Sequence, residues 1–339
     1  MSRSETNAPL VDRFGRTHTS MRLSVTDRCN LRCQYCMPDG PLKFLPRAEV
    51  LTFEEITRLV AVAATMGVRK LRLTGGEPLV RSELPRLVTM LRTIDGVDEI
   101  ALTTNALLLA EQAEPLRRAG LDRLNVSLDT VRDEPFREIS RRDGLGRVLA
   151  GLEAAGRAGF TRIRLNAIAM RGFTEAEAPH LARFARAGGY ELRFIEYMPL
   201  DADGGWQADQ VLSGAELREL LAAEFGPLEP SARPTPSQPA TDYRWTDVEG
   251  PGAVVGFINP VSEPFCDACD RLRLTAEGQV RNCLFSTEEW DARELLRSGA
   301  DDNALRQLLS DCVAAKKRGH GIDDAEFVRP ERAMYQIGG

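Results

Sequence analysis

The sequence has no uninterrupted apolar run of membrane-spanning length and no signal-peptide pattern over residues 1–9, so the expectation is a soluble, cytoplasmic protein with no membrane partner. Positive charge is not in excess: 44 Lys and Arg face 50 Asp and Glu, a net charge of −6. That argues against wholesale nucleic-acid binding, which needs a basic surface, but leaves room for a local arginine cluster around a small anion. No G-x-x-x-x-G-K-[ST] occurs, so nothing supports a P-loop NTPase. Cysteine is scarce, and its seven copies fall in a pattern: Cys29, Cys33 and Cys36 together, Cys266, Cys269 and Cys283 together, and Cys312 alone. In a reducing compartment such groups read as metal-binding or catalytic rather than as a disulfide framework. Cys312 reads as a small buried apolar residue with no role.

What is present is strand–helix alternation. Candidate strands at 22–26, 70–74, 99–103, 123–128, 162–169 and 192–198 are separated by amphipathic stretches. In one of them, 52–66, Thr52 and Glu55 form a capping box and Ile56, Leu59, Val60 and Ala63 recur at helical spacing. Six such units predict an α/β fold with a parallel sheet, a partial (β/α)6 barrel. Parallel strands covered by helices usually read as continuous apolar runs. These alternate instead: Leu23 and Val25 against Arg22, Ser24 and Thr26; Leu71 and Leu73 against Arg72 and Thr74; Val126 and Leu128 against Asn125, Ser127 and Asp129; Ile163 and Leu165 against Arg164 and Asn166. If the apolar set packs on outer helices, the polar set lines a lumen. A sheet with one solvated face is the alternative, disfavoured by the long helical connections.

Beyond Pro199 the pattern changes, and the chain is divided into 1–200 and a C-terminal region, 201–339. The latter reads as a helix at 214–225, a Pro/Ser-rich surface linker at 226–240, short strands at 254–258, 272–275 and 279–282, and helices at 290–298 and 303–317.

Cys29-x-x-x-Cys33-x-x-Cys36 directly follows the first strand. Three thiolates can hold three corners of a four-iron cluster and leave one iron open, whereas zinc wants a fourth ligand or a water. With Tyr35 before the last Cys, and Thr74-Gly75-Gly76-Glu77-Pro78 ending the second strand, the chain resembles the radical S-adenosylmethionine (SAM) superfamily. In that superfamily the open iron chelates SAM, and reduction cleaves it to a 5′-deoxyadenosyl radical. The glycines are expected to let the backbone approach the ligand closely.

Cys266-x-x-Cys269 and Cys283 again offer three thiolates, with Arg271 and Arg273 on one side of the strand between them, placed to aim forked donors at a ligand. From Phe14-Gly15-Arg16-Thr17-His18 to the terminal Ile337-Gly338-Gly339, the chain resembles the GTP 3′,8-cyclase family of molybdenum cofactor biosynthesis. The resemblance implies two [4Fe-4S] clusters, the second in the C-terminal extension and binding guanine through its open iron. It implies that Cys29, Cys33 and Cys36 hold the SAM cluster and Cys266, Cys269 and Cys283 the second. Tyr35, Gly76, Ser127 and Met198 would contact SAM; Arg22, Arg72, Thr103, Arg164, Arg271 and Arg273 would contact GTP. The family commonly has Lys where Arg164 stands, and the two differ in geometry. The implied reaction removes hydrogen from ribose C3′, joins C3′ to guanine C8 and, after one-electron reduction, yields (8S)-3′,8-cyclo-7,8-dihydroguanosine 5′-triphosphate. Implied partners are an external electron donor and cyclic pyranopterin monophosphate synthase as the recipient of product, with a homodimer left open. The Gly-Gly tail is expected to reach into the site, and His320 has no assigned role. Two other readings stay open: a radical SAM peptide-modifying enzyme with an auxiliary cluster, and a zinc-stabilised interaction module.

Overall fold

The computed structural model describes residues 8–38, 40–322, 324 and 326–338. The six expected strands form as β1 (Ser20–Ser24), β2 (Lys70–Thr74), β3 (Glu99–Thr104), β4 (Arg123–Ser127), β5 (Ile163–Ala169) and β6 (Glu191–Glu196). The C-terminal region adds β7 (Leu228–Pro230), β8 (Thr241–Trp245), β9 (Val254–Ile258), β10 (Arg271–Leu274), β11 (Gln279–Arg281) and β12 (Trp290–Asp291). All twelve join one sheet in the order β12-β11-β10-β1-β2-β3-β4-β5-β6-β9-β8-β7. From β10 to β9 every neighbouring pair is parallel, and the outer strands on both sides are antiparallel. The two end strands do not pair with each other, so the barrel is partial and its sheet stays open.

The alternation has the expected consequence. Met21, Leu23, Leu71, Leu73, Leu124, Val126, Leu165, Leu192, Leu272 and Leu274 are buried in the main apolar core. Helix Phe53–Thr65 contributes Ile56, Leu59, Val60 and Ala63 to that core, and its start is fixed by the Thr52–Glu55 capping box. The other set falls in rows across the lumen face: Arg22 lies opposite Arg72 and Arg273, Asn125 opposite Thr103 and Arg164, and Asn166 opposite Ser127 and Arg193.

β9 and β10 stand at opposite edges of the parallel strands, so residues 259–270 cross the open seam of the barrel. That crossing carries Cys266 and Cys269. Arg16 braces it: its guanidinium donates to the carbonyls of Cys266 (2.7 Å), Arg318 (2.8 Å) and Lys317 (2.7 Å) and pairs with Asp12 (2.6 Å). Here the 14–18 motif has a structural reason.

Three expectations need correction. The first strand begins two residues earlier than expected and ends at Ser24. Residues 226–240 are not only a surface linker: β7 pairs with β8 at the sheet edge, and residues 234–239 turn inward. A three-residue strand ending in Pro230 is too short to show a period, and proline is tolerated there because the strand is an edge. Residues 290–298 begin as strand, and the helix starts only at Ala292, where Asp291 Oδ1 accepts the Glu294 amide at 3.0 Å. Among the described residues no helix is long and apolar enough to cross a membrane.

His18 is fully buried beside Asp12, its Nε2 3.8 Å from the carboxylate. Burial, helped by Lys316, brings its pKa down to about 4, Asp12 opposing. An unfolded chain takes up this proton near pH 6.5 and the folded one does not, so the contribution is present above 6.5 and is lost as pH falls towards 4. At most it amounts to about 3 kcal/mol. Thermal melts of the wild type and His18→Gln should show a shallower loss of Tm between pH 6.5 and 4.5 in the variant; parallel curves would refute this assignment.

Candidate active site

Each candidate ligand is placed by a short main-chain device. After β1 the chain runs through Thr26, Asp27 and Arg28 to Cys29, and this run is lashed to the end of β2: Gly76 N donates to Thr26 O and Glu77 N to Arg28 O, both at 2.8 Å. A Cβ on Gly75, whose φ is +152°, would run into the Thr26 carbonyl, and one on Gly76 into the Arg28 carbonyl. The close approach that demands these glycines is thus, first, to the chain's own backbone. Glu77 is buried and accepts from Leu79 N (3.0 Å), Thr104 Oγ1 (2.7 Å) and Asn105 N (2.7 Å). Burial raises its pKa to about 7 against those three bonds.

Cys33 O accepts from the amides of Cys36 (3.0 Å) and Met37 (2.9 Å), the turn that brings Cys33 and Cys36 to one side. Tyr35 Oη donates to Asp129 Oδ2 at 2.7 Å, tying the loop to the end of β4. Burial pushes the Cys29 thiol up to about 11 and the Cys33 and Cys36 thiols up as well, with mutual repulsion adding to it.

The second trio has different electrostatics. Cys269 N donates to Cys266 O at 3.0 Å in a short turn, and Cys283 follows β11. Arg271 Nε lies 3.4 Å and Lys316 Nζ 3.5 Å from Cys269 Sγ. Burial alone would raise the Cys269 thiol, but these two cations outweigh it and bring the pKa down to about 6. Cys266, with less help, is raised by burial.

Each trio offers three free, half-buried thiols, the donor type that holds three irons of a four-iron cluster and leaves the fourth open.

Both trios line one cavity of about 290 Å³, together with Tyr35, Gly76, Ser127, Met198, Thr103, Arg22, Arg271 and Arg273. Arg72 and Arg164 do not reach it; they line an adjoining cavity of about 360 Å³ that shares Arg22, Thr103 and Arg271 with the first. The second cavity is walled by cations that the sequence reading left out: Lys70, Arg123, Arg162 and Arg193. Arg193 follows the same alternation, between Leu192 and Phe194 on β6, and was there to be found. Arg123 pairs with Glu99 (2.5 Å), Arg164 with Glu191, and Arg193 with Asp242 (3.5 Å) and Glu191 (3.7 Å). Arg22 and Arg72 have no hydrogen-bonded or ion-paired partner among the described residues. Burial and neighbouring arginines push both pKa values well below the usual guanidinium range. Such a group calls for an anion.

The tail lies in the lumen. Gly338 O accepts from Arg273 Nη1 at 2.5 Å, its φ is +83°, and a Cβ there would strike Thr74 Oγ1. Gly339 lies outside the described residues. His320 also lines the first cavity, its Nδ1 accepting from Ile322 N at 3.1 Å and its ring 5.3 Å from that of Phe285. Cys312 is fully buried in the apolar core.

Residues 23–185 match the profile of the radical SAM superfamily, and residues 190–322 match the family described as Molybdenum Cofactor Synthesis C. The GTP 3′,8-cyclase of Rhodopirellula baltica is 51% identical over 331 residues, covering 97% of this chain and 92% of that protein. The GTP 3′,8-cyclase of Streptomyces coelicolor is 45% identical, covering 97% and 96%. Among solved structures, Streptococcus suis SuiB bound to its precursor peptide SuiA has a TM-score of 0.60 at 15% identity, over 92% of this chain and 68% of that one. That likeness speaks for the fold alone. With about half its residues shared with such cyclases along nearly its whole length, the chain belongs to the GTP 3′,8-cyclase family of radical SAM enzymes.

Proposed function

We propose that this chain converts GTP to (8S)-3′,8-cyclo-7,8-dihydroguanosine 5′-triphosphate, the first step of molybdenum cofactor biosynthesis, with SAM at one end of the lumen and GTP spanning the rest. The observation that carries the reading is the adjoining pair of cavities, one lined by both cysteine trios and the other by a cluster of arginines, of which the half-buried Arg22 and Arg72 form no ion pair among the described residues. Cys29, Cys33 and Cys36 would hold the [4Fe-4S] cluster and leave one iron for SAM, beside Tyr35, Gly76, Ser127 and Met198. Cys266, Cys269 and Cys283 would hold a second cluster facing the same space. Bound there, the first cluster and SAM supply the single-electron chemistry that removes a ribose hydrogen.

The chain's own residues bind, orient and shield. Arg22 and Arg72, half-buried on the lumen wall and in no ion pair among the described residues, gain most from a triphosphate, and their forked donors suit phosphate oxygens. Arg271 and Arg273 stand between that wall and the second trio, where the nucleoside would lie, and Thr103 lines both cavities. Arg164 is already engaged by Glu191, so its contact with substrate is the weaker one. Met334, Tyr335 and Gly338 shield the SAM end from water. In this reading residues 1–200 carry the SAM site and 201–339 the base-binding site, interleaved through one sheet. An external donor supplies the electron, and the product passes to cyclic pyranopterin monophosphate synthase.

The test is an anaerobic assay of reconstituted protein with SAM, a strong reductant and each nucleoside triphosphate in turn. 5′-Deoxyadenosine and the cyclised product should form with GTP and not with ATP, CTP or UTP, and Cys33→Ala should abolish both. Equal 5′-deoxyadenosine without GTP would defeat the proposal. Arg72→Ala should weaken GTP binding at least about tenfold, the scale of one charge-assisted hydrogen bond, and Arg164→Ala should weaken it less. Calorimetric titration of both variants checks the order, and the reverse order would contradict the role of Glu191.

A further inference from the structure

Lys316 follows helix Asp302–Ala314 and is 3% exposed. Its Nζ donates to the Arg271 carbonyl at 2.8 Å, which fixes it, and sits 3.5 Å from Cys269 Sγ. It has no carboxylate partner among the described residues. A buried ammonium without a carboxylate is costly unless another anion answers it, and the anion offered here is the Cys269 sulfur. Arg271 Nε approaches the same sulfur at 3.4 Å, so one ligand of the second trio receives two cationic donors. In the first trio neutral donors approach the Cys29 sulfur, the Leu31 amide at 3.5 Å and the Asn105 side-chain amide at 3.9 Å.

We propose that Lys316 is a positioning residue that raises the redox potential of the second cluster through Cys269, making that cluster easier to reduce than it would be without this lysine. The inference rests on the two-cluster reading above. Reduction adds one negative charge to a cluster, and a buried positive charge or a hydrogen bond at a ligating sulfur favours the reduced state. Lys316 provides both at one atom. The bond to Arg271 O also keeps the β10 strand, and with it Arg271 and Arg273, in line with the trio.

The experiment uses the full-length chain with Cys29, Cys33 and Cys36 all changed to Ala, so that the second trio holds the only cluster. Iron and sulfide are counted, and the midpoint potential is followed by EPR during a redox titration. The parent should hold about four irons per chain. Lys316→Met and Lys316→Gln should keep that content while the midpoint moves to more negative values in both, because both lose the charge. The Gln variant retains a donor for Arg271 O and so separates charge from packing. Unchanged midpoints with full iron would overturn the tuning role while leaving two clusters intact. Loss of the cluster in Lys316→Gln would overturn it as well, marking the residue as a structural support. A parent without iron would overturn the two-cluster reading and this inference with it.

Discussion

Crowded, poorly neutralised positive charge along the lumen wall is the constraint around which this molecule is organised. Arg22, Arg72 and Arg273 stand side by side on three neighbouring strands, each desolvated and each repelling the next. Such a row would destabilise any fold that gained nothing elsewhere. The gain lies on the other face of the same strands, where Met21, Leu23, Leu71, Leu73, Leu272 and Leu274 are sealed against helices. Apolar burial outside holds a cationic lumen inside, and the lumen is preorganised for a polyanion before any ligand arrives.

The open seam is the second half of the design. A closed parallel barrel would fill its interior with packed side chains. Here β9 and β10 widen the sheet on opposite edges and the segment between them crosses the gap. The cysteines on that crossing therefore line the same cavity as the first trio. Arg16 and Lys316 fix it from behind, one through carbonyls and one through a carbonyl and a sulfur.

Much of this was legible in the sequence, because period-two alternation is a direct record of which face a side chain takes. It placed Arg22, Arg72, Ser127 and Arg164 on the lumen face. The cysteine spacings gave the two trios, which the structure brings to one cavity. What was not legible depends on contacts distant in the chain. Nothing local to Lys316 reveals that it ends beside Cys269, and nothing in residues 234–239 reveals that they wall the arginine cavity. The split of the five expected arginines between two cavities was equally hidden: Arg273, Arg22 and Arg72 share one register row, yet Arg273 lines the first cavity, Arg72 the second and Arg22 both. Glu191, which engages Arg164, sits across the strand pair and is visible only once the register is known.

The central claim is that the lumen recognises the triphosphate through desolvated arginines, with the base at the far trio. The most direct measurement is equilibrium binding of GTP and of guanosine to the anaerobically reconstituted full chain. The account predicts that guanosine binds at least about a hundredfold more weakly, the loss expected when two or more charge-assisted bonds are removed. Equal affinity for the two would contradict it.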